Sequence, residues 1–202
     1  NVVDTDLFAM GASEAFPPRL LHISSLVDEQ KNVTGLIEAV GKALDDLPPG
    51  TTLEVVGDGD PAPHAATVER LGLSGRVSTG GEISLSEVAE RMARASAVLL
   101  FSRYENFPCV IPEAWSTGTP VIATDVGGIR EHLPAWGTDD LGPFRGCCVP
   151  SEDQTAFAQA LASALAAPVD QGAIRRYAEQ HFSVDAVGHA YLAVYRSCLD
   201  RG

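Results

Sequence analysis

Apolar residues fall into two rhythms along this chain. Short continuous runs, "LLHISSL" (20–26), "TTLEVVG" (51–57), "AVLLF" (97–101) and "PVIAT" (120–124), read as buried strands. "RVSTG" (76–80) and "RGCCVP" (145–150) read as shorter and weaker ones. The segments between them change to helical spacing. In "NVTGLIEAVGKALDDL" (32–47), Val33, Leu36, Ile37, Val40, Leu44 and Leu47 share one face, and "PPG" stops the run. Further helices are predicted at 63–72, 84–95 and 111–118. Gly72 and Gly118 end the first and last of these, and Ser84 with Glu87 forms a capping-box pattern for the middle one. Three helices close the chain near 152–167, 170–181 and 183–200, with Asp153, Asp170 and Ser183 at their starts.

Strands that alternate with helices and are apolar along their whole length predict an α/β fold. The expected form is a Rossmann-like, doubly wound parallel sheet covered on both faces, followed by C-terminal helices. Ligands of such sheets bind beyond the carboxyl ends of the strands. Here those ends are residues 26–31, 57–61, 80–83, 102–110 and 124–128. The chemically unusual residues gather there. Lys31 follows the first strand, "GDGD" the second and "GGE" the third. "SRYENFPCVIPE" follows the fourth, carrying Glu105 and Glu113 on either side of a kinked segment, and "DVGG" follows the fifth.

Length and charge narrow the function classes. The chain has 202 residues, 45% of them apolar, enough for one large domain with a sizeable core. The formal net charge of −13 argues against nucleic acid and against an anionic membrane surface as partners, since both need clustered Lys and Arg. No apolar run approaches the ~20 residues of a bilayer span, and no signal peptide opens the chain. Cys109, Cys147, Cys148 and Cys198 match no zinc spacing, and read as reduced thiols of a cytoplasmic protein. The chain opens on Asn1, and "NVVDTDLFAMGASEAFPP" reads as a linker, so a piece of something longer is expected.

Taken in order, "NVVDTDLF", "EQKNVTGLIEA", "LEVVGDG", "RVSTGGEI" and "ASAVLLFSRYENFPCVIPEAWSTGTPVIATDVGGIREHL" resemble one family. It is the large group of retaining GT-B glycosyltransferases marked by an E-x7-E motif, and the resemblance is to their C-terminal, donor-binding domain. It covers about residues 1–150. It implies an interdomain linker at 1–18, a nucleotide-sugar-binding Rossmann-like domain at 19–168, and C-terminal helices at 169–202. Those helices pack on the domain or reach toward a missing N-terminal domain. That domain would complete the acceptor side and carry any membrane contact.

The resemblance also implies roles. Glu105 lies at the donor sugar, where a carboxylate holds hexose hydroxyls and offsets positive charge developing at the anomeric carbon. Glu113 binds the ribose hydroxyls. Lys31 is the diphosphate cation, and the backbone of Phe107, Pro108, Cys109 and Val110 lines the path between hexose and diphosphate. Pro108 and Pro112 stiffen that loop. Glu82 and Ile83 lie by the nucleobase. The chain departs from the family in one place: an arginine expected shortly before the lysine is replaced by Ser24 and Ser25. Ser25, Arg103 and Arg130 are the candidates for the missing phosphate contact. Asp58-Gly59-Asp60 matches a metal-binding D-x-D pattern, but is read as a turn, and no metal or other cofactor is expected. The five histidines, Trp115 and Trp136 are read as structural.

The expected activity is hexose transfer from a UDP- or GDP-sugar with retention, the fragment alone being inactive. A sugar-nucleotide epimerase of related architecture and a non-catalytic nucleotide-binding module remain as alternatives.

Overall fold

The computed structural model describes residues 1–11, 16–137 and 145–199. Six parallel strands form one sheet in the order β3-β2-β1-β4-β5-β6. They are β1 Arg19–Ser24, β2 Thr52–Gly57, β3 Val77–Thr79, β4 Ala97–Leu100, β5 Val121–Thr124 and β6 Gly146–Val149. All six predicted strands are present. The helices are α1 Asp28–Lys31, α2 Val33–Ala43, α3 Ala62–Arg70, α4 Leu85–Arg94, α5 Val110–Ser116, α6 Gln154–Ala166, α7 Gln171–Phe182 and α8 Val184–Leu199. The predicted last position of the final helix, residue 200, lies outside the described residues, as do 12–15 of the predicted linker.

The sheet is buried on both faces, which explains the uninterrupted apolar strands. One face packs against α2, α3 and α6 through Leu36, Val40, Val68, Phe157 and Leu161. The other packs against α4, α5 and α7 through Met92, Ile111, Trp115, Ile174 and Phe182. Val3 and Phe8 of the opening segment join this second layer, where the Val3 N–H donates to Phe182 O at 2.8 Å. By contrast α8 has no buried residue along its 16 positions and exposes Tyr191, Leu192, Val194 and Tyr195.

Local chemistry sets the ends. The Ser84–Glu87 capping box forms, and Asp153 and Asp170 each accept an N–H of their helix's first turn. Gly118, at φ +80°, ends α5 in a Schellman arrangement: its N–H donates to Trp115 O and that of Thr119 to Ala114 O, both at 2.9 Å. Two boundaries differ from expectation. The helix predicted over 32–47 stops at Ala43, because Asp45, Asp46 and Pro48 oppose its continuation: carboxylates are unfavourable at a helix C-terminus, and a proline disfavours helical geometry before it. Leu44 and Leu47 stay buried as a turn. After β1 the expected loop contains the one-turn helix α1, entered through Leu26 at φ 55° and left through Asn32 at φ 50°.

Strand order positions the site. β1 pairs with β2 on one side and with β4 on the other, so the order reverses between β1 and β4. A crevice opens beyond the carboxyl ends of strands at such a reversal. Lys31 and Glu105 follow those two strands.

Candidate functional site

The segments after β1 and β4 are joined into one unit. Gln30 O accepts the Arg103 N–H at 2.8 Å and the Tyr104 N–H at 3.4 Å. The Arg103 guanidinium donates to Asp28 O at 2.7 Å, and the Asp28 carboxylate accepts the Thr34 N–H at 2.7 Å. This stitching brings the Lys31 ammonium to 2.7 Å from Glu105 Oε1. Glu105 is only 7% exposed and Lys31 18%, so the pair is largely withdrawn from water. The Ser102 hydroxyl, fully buried, donates to the same Oε1 at 2.8 Å. Glu105 Oε2 has no hydrogen-bond or ion-pair partner among the described residues.

The "DVGG" turn supports this loop from beyond β5. A side chain at Gly127 would place its Cβ 1.7 Å from Glu105 O, and one at Gly128 would come to 2.8 Å from Asn106 O. The Gly128 N–H donates to Asn106 O. The two glycines are therefore required by close backbone approach. Glycines play the same part after β2. A Cβ at Gly57 would lie 1.7 Å from Ser24 O, and one at Gly59 2.8 Å from Ser25 O.

The half-buried Glu113 lies in the first turn of α5. Its carboxylate has no ion pair or hydrogen bond among the described residues, and burial pushes its pKa up from the ordinary carboxylate value. Phe107, Pro108 and Val110 are half-buried and Cys109 is exposed. Phe107 stacks on Phe182, with ring centroids 5.7 Å apart and planes at 22°. The side-chain amide of Asn1 donates to Phe107 O at 2.6 Å. Glu82 is exposed, whereas Ile83 packs on the second core layer. Their loop is tied to β2, since Gly81 O accepts the Gly57 N–H at 3.3 Å.

The candidates for the missing arginine fare differently. Ser25 is half-buried beside the site. Arg103 is held by Glu152 at 2.8 Å, and Arg130 forms an ion pair with Asp125. In place of a charge, Ser24 joins a neutral chain: its hydroxyl lies 2.8 Å from His22 Nε2 and accepts the Leu26 N–H at 3.1 Å. His22 Nδ1 lies 2.7 Å from Leu99 O, so it carries the proton and Nε2 accepts. Burial holds the His22 pKa down at about 4.

Other singled-out residues serve the fold. Asp60 accepts the Ala62 N–H at 2.9 Å as α3 begins. Trp115 is buried, donating to Arg145 O at 2.9 Å. All four cysteines are free, and burial pushes the Cys147 thiol up to about 12. Among the described residues no three His, Cys, Asp or Glu side chains come together as a metal-holding group, and no helix is long and apolar enough to cross a membrane. Sequence reasoning overlooked Ser102, although Ser-x-x-Glu is a spacing at which a hydroxyl reaches a carboxylate.

Comparison with known proteins identifies the family and the fold. A family model described as "Glycosyl transferases group 1" matches residues 17–167. A D-inositol 3-phosphate glycosyltransferase of Segniliparus rotundus is 34% identical over 162 residues, covering 76% of this chain and 34% of the relative. The sucrose-phosphate synthase of Thermosynechococcus elongatus superposes over the whole chain and 52% of its own length, with a TM-score of 0.78 and 25% identity. Anabaena HepE, solved in complex with UDP and glucose, superposes over 98% of the chain and 55% of its own, with a TM-score of 0.75 and 22% identity. The chain thus spans between about a third and a little over half of the proteins it matches.

Proposed function

Since the chain belongs to the group 1 glycosyl transferases, we propose that it is the donor-binding half of a retaining enzyme that moves a hexose from a nucleotide-diphosphate sugar to an acceptor. The observation that carries this reading is the meeting of Lys31 and Glu105 at the strand-order reversal, 2.7 Å apart. A cation and a carboxylate drawn from different strand ends supply the two charges such a donor needs. Lys31 takes the diphosphate. At ~4 Å and an effective dielectric of ~20, a Lys–phosphate pair is worth roughly 4 kcal/mol before desolvation. Glu105 then faces the hexose, where its charge offsets that of an oxocarbenium-like transition state. Glu113, lacking a partner in the described residues, accepts the ribose hydroxyls. The backbone of Phe107–Val110 lines the path between sugar and diphosphate, with Glu82 and Ile83 toward the base. No metal is required, since Lys31 and backbone N–H groups meet the phosphate charge.

The acceptor side falls to an N-terminal half, toward which the apolar exposed face of α8 is available. This chain alone is therefore expected to bind donor weakly without turnover. UDP is favoured as the nucleotide, consistent with the UDP complex of HepE.

The test is a calorimetric screen of UDP-, GDP- and ADP-sugars against this chain, followed by anomeric product analysis on the full-length enzyme. Saturable binding of one sugar nucleotide, lost in Lys31→Ala, supports the reading. No binding by any of them, or an inverted product, overturns it. Release of an epimerised sugar nucleotide without acceptor would assign the related epimerase chemistry instead.

A further inference from the structure

The Glu105 carboxylate is held on one side only. Both Lys31 Nζ, at 2.7 Å, and Ser102 Oγ, at 2.8 Å, meet Oε1, while Oε2 has no partner among the described residues. Ser102 is itself fixed. It is fully buried two residues beyond β4, and its carbonyl accepts the hydroxyl of Thr124, another fully buried residue, at 2.6 Å. That bond ties it to the end of the neighbouring strand β5.

The two holds on Oε1 differ in kind. Lys31 is a flexible cation, attracted by any anion that enters the crevice. Ser102 is neutral, short and fully buried, so an entering phosphate is drawn to it far less than to the Lys31 ammonium. If Lys31 turns to the diphosphate, Ser102 becomes the group that keeps Glu105 oriented.

We propose, building on the donor-binding reading above, that Ser102 is a positioning residue for Glu105. It holds Oε1 throughout the donor-bound state, so that Oε2 is the oxygen presented to the hexose. Groups held within about 0.5 Å of productive geometry by locked neighbours act in the transition state, and loosening them lowers turnover more than ground-state binding.

The test compares wild type, Ser102→Ala, Ser102→Thr and Glu105→Gln in the full-length enzyme, with the sugar nucleotide that binds tightest in the screen above and water as acceptor, turnover being read as release of free hexose and nucleoside diphosphate. The matching nucleoside diphosphate, which has no hexose, serves as a separate binding probe. Ser102→Ala is expected to keep diphosphate affinity and donor KM within about twofold and to lower kcat at least about tenfold. Ser102→Thr, which keeps the hydroxyl, is expected to recover most of that kcat. An unchanged kcat in Ser102→Ala overturns the proposal, as does a loss of diphosphate binding that parallels the loss of kcat, the mark of a merely structural role. Should Ser102→Ala prove too unstable to assay, Ser102→Cys reads the same split with a weaker donor. Loss of turnover in Glu105→Gln but not in Ser102→Ala refutes only the positioning role. Full turnover in Glu105→Gln refutes the donor-site reading itself.

Discussion

Lys31 Nζ lies 2.7 Å from Glu105 Oε1, joining side chains 74 positions apart in sequence. The contact spans the reversal between β1 and β4, where the fold brings two distant strand ends together. A largely buried pair of this kind holds a stored cation and a stored carboxylate close to neutral, each available to a ligand that carries the opposite need.

The pair contributes to stability mainly by satisfying a charge that is already withdrawn from water. Lys31→Met leaves Glu105 with the Ser102 hydroxyl alone, and is expected to cost about 1–3 kcal/mol in urea unfolding. Removing both charges is milder, because no unpaired ion remains. Lys31→Met/Glu105→Gln should therefore be more stable than Lys31→Met. A double variant less stable than the single one would contradict this expectation.

Gly127 buttresses the Glu105 loop through backbone contact. In Gly127→Ala the new Cβ would meet Glu105 O at 1.7 Å, in a residue already at φ +56°. Gly75 is the control, since it has φ +85° and open space around its Cβ position. Gly75→Ala carries conformational strain alone, about 1 kcal/mol, whereas Gly127→Ala adds the displacement of the loop and should cost at least about twice that. Donor affinity should fall in Gly127→Ala and be unchanged in Gly75→Ala. Equal effects from the two variants would rule out the buttress.

Those two sites show where sequence reading reaches and where it stops. The continuous apolar runs located the four central strands, because a strand buried on both faces has no polar side to obscure it, while the edge strands β3 and β6 showed only shorter and weaker patterns. The chemistry-bearing residues were locatable as strand-end residues for the same reason. Strand order was not legible, since no local pattern records which strands become neighbours, and the Lys31–Glu105 contact depends on that order. Ser102 was missed because a lone serine after an apolar run reads as the start of a loop. The glycines of "DVGG" were visible, but their cause, the Glu105 and Asn106 carbonyls, lies about 20 residues away in the chain. Arg103 and Arg130, candidates for a phosphate contact from their positions, each have a carboxylate partner in the structure, as Lys31 does.

Glu113 should trade stability for binding. Burial raises its pKa above the ordinary 4.5, so the folded state holds this proton more tightly than the unfolded chain. Its contribution is fully present below about pH 4.5 and is lost as pH rises through the raised value. At pH 7 the wild type bears the burden of a half-buried charge that Glu113→Gln lacks. The variant should be the more stable protein at pH 7, with the difference shrinking as pH falls through the raised value and gone below about 4.5. The same variant should lose donor affinity, because the amide accepts ribose hydroxyls less strongly. Chemical unfolding at several pH values together with calorimetry would check both halves; a Glu113→Gln protein less stable at pH 7 would contradict the first.

His22 makes the opposite pH demand. Its pKa falls from 6.5 to about 4, chiefly through burial, with Lys31 and His64 adding positive charge nearby, against the raising effect of the hydrogen bond to Leu99 O. Between those values the unfolded chain binds a proton that the folded protein refuses, so stability rises with pH across the window. On acidification from 6.5 toward 4 this one group should remove roughly 3 kcal/mol. Protonation would also place a hydrogen on Nε2, where the Ser24 hydroxyl now donates, forcing that hydroxyl to reverse. It would add positive charge close to Lys31. His22→Gln keeps a donor and an acceptor but cannot titrate, so its stability should vary less between pH 6.5 and 4 than that of wild type. The difference between the two proteins, measured by urea unfolding at half-unit steps, isolates the histidine from the carboxylates that titrate alongside it. Parallel curves for the two proteins would mean that His22 takes up its proton in the folded state as readily as in the unfolded chain, and that the neutral chain from Leu99 through His22 and Ser24 to Leu26 does not hold.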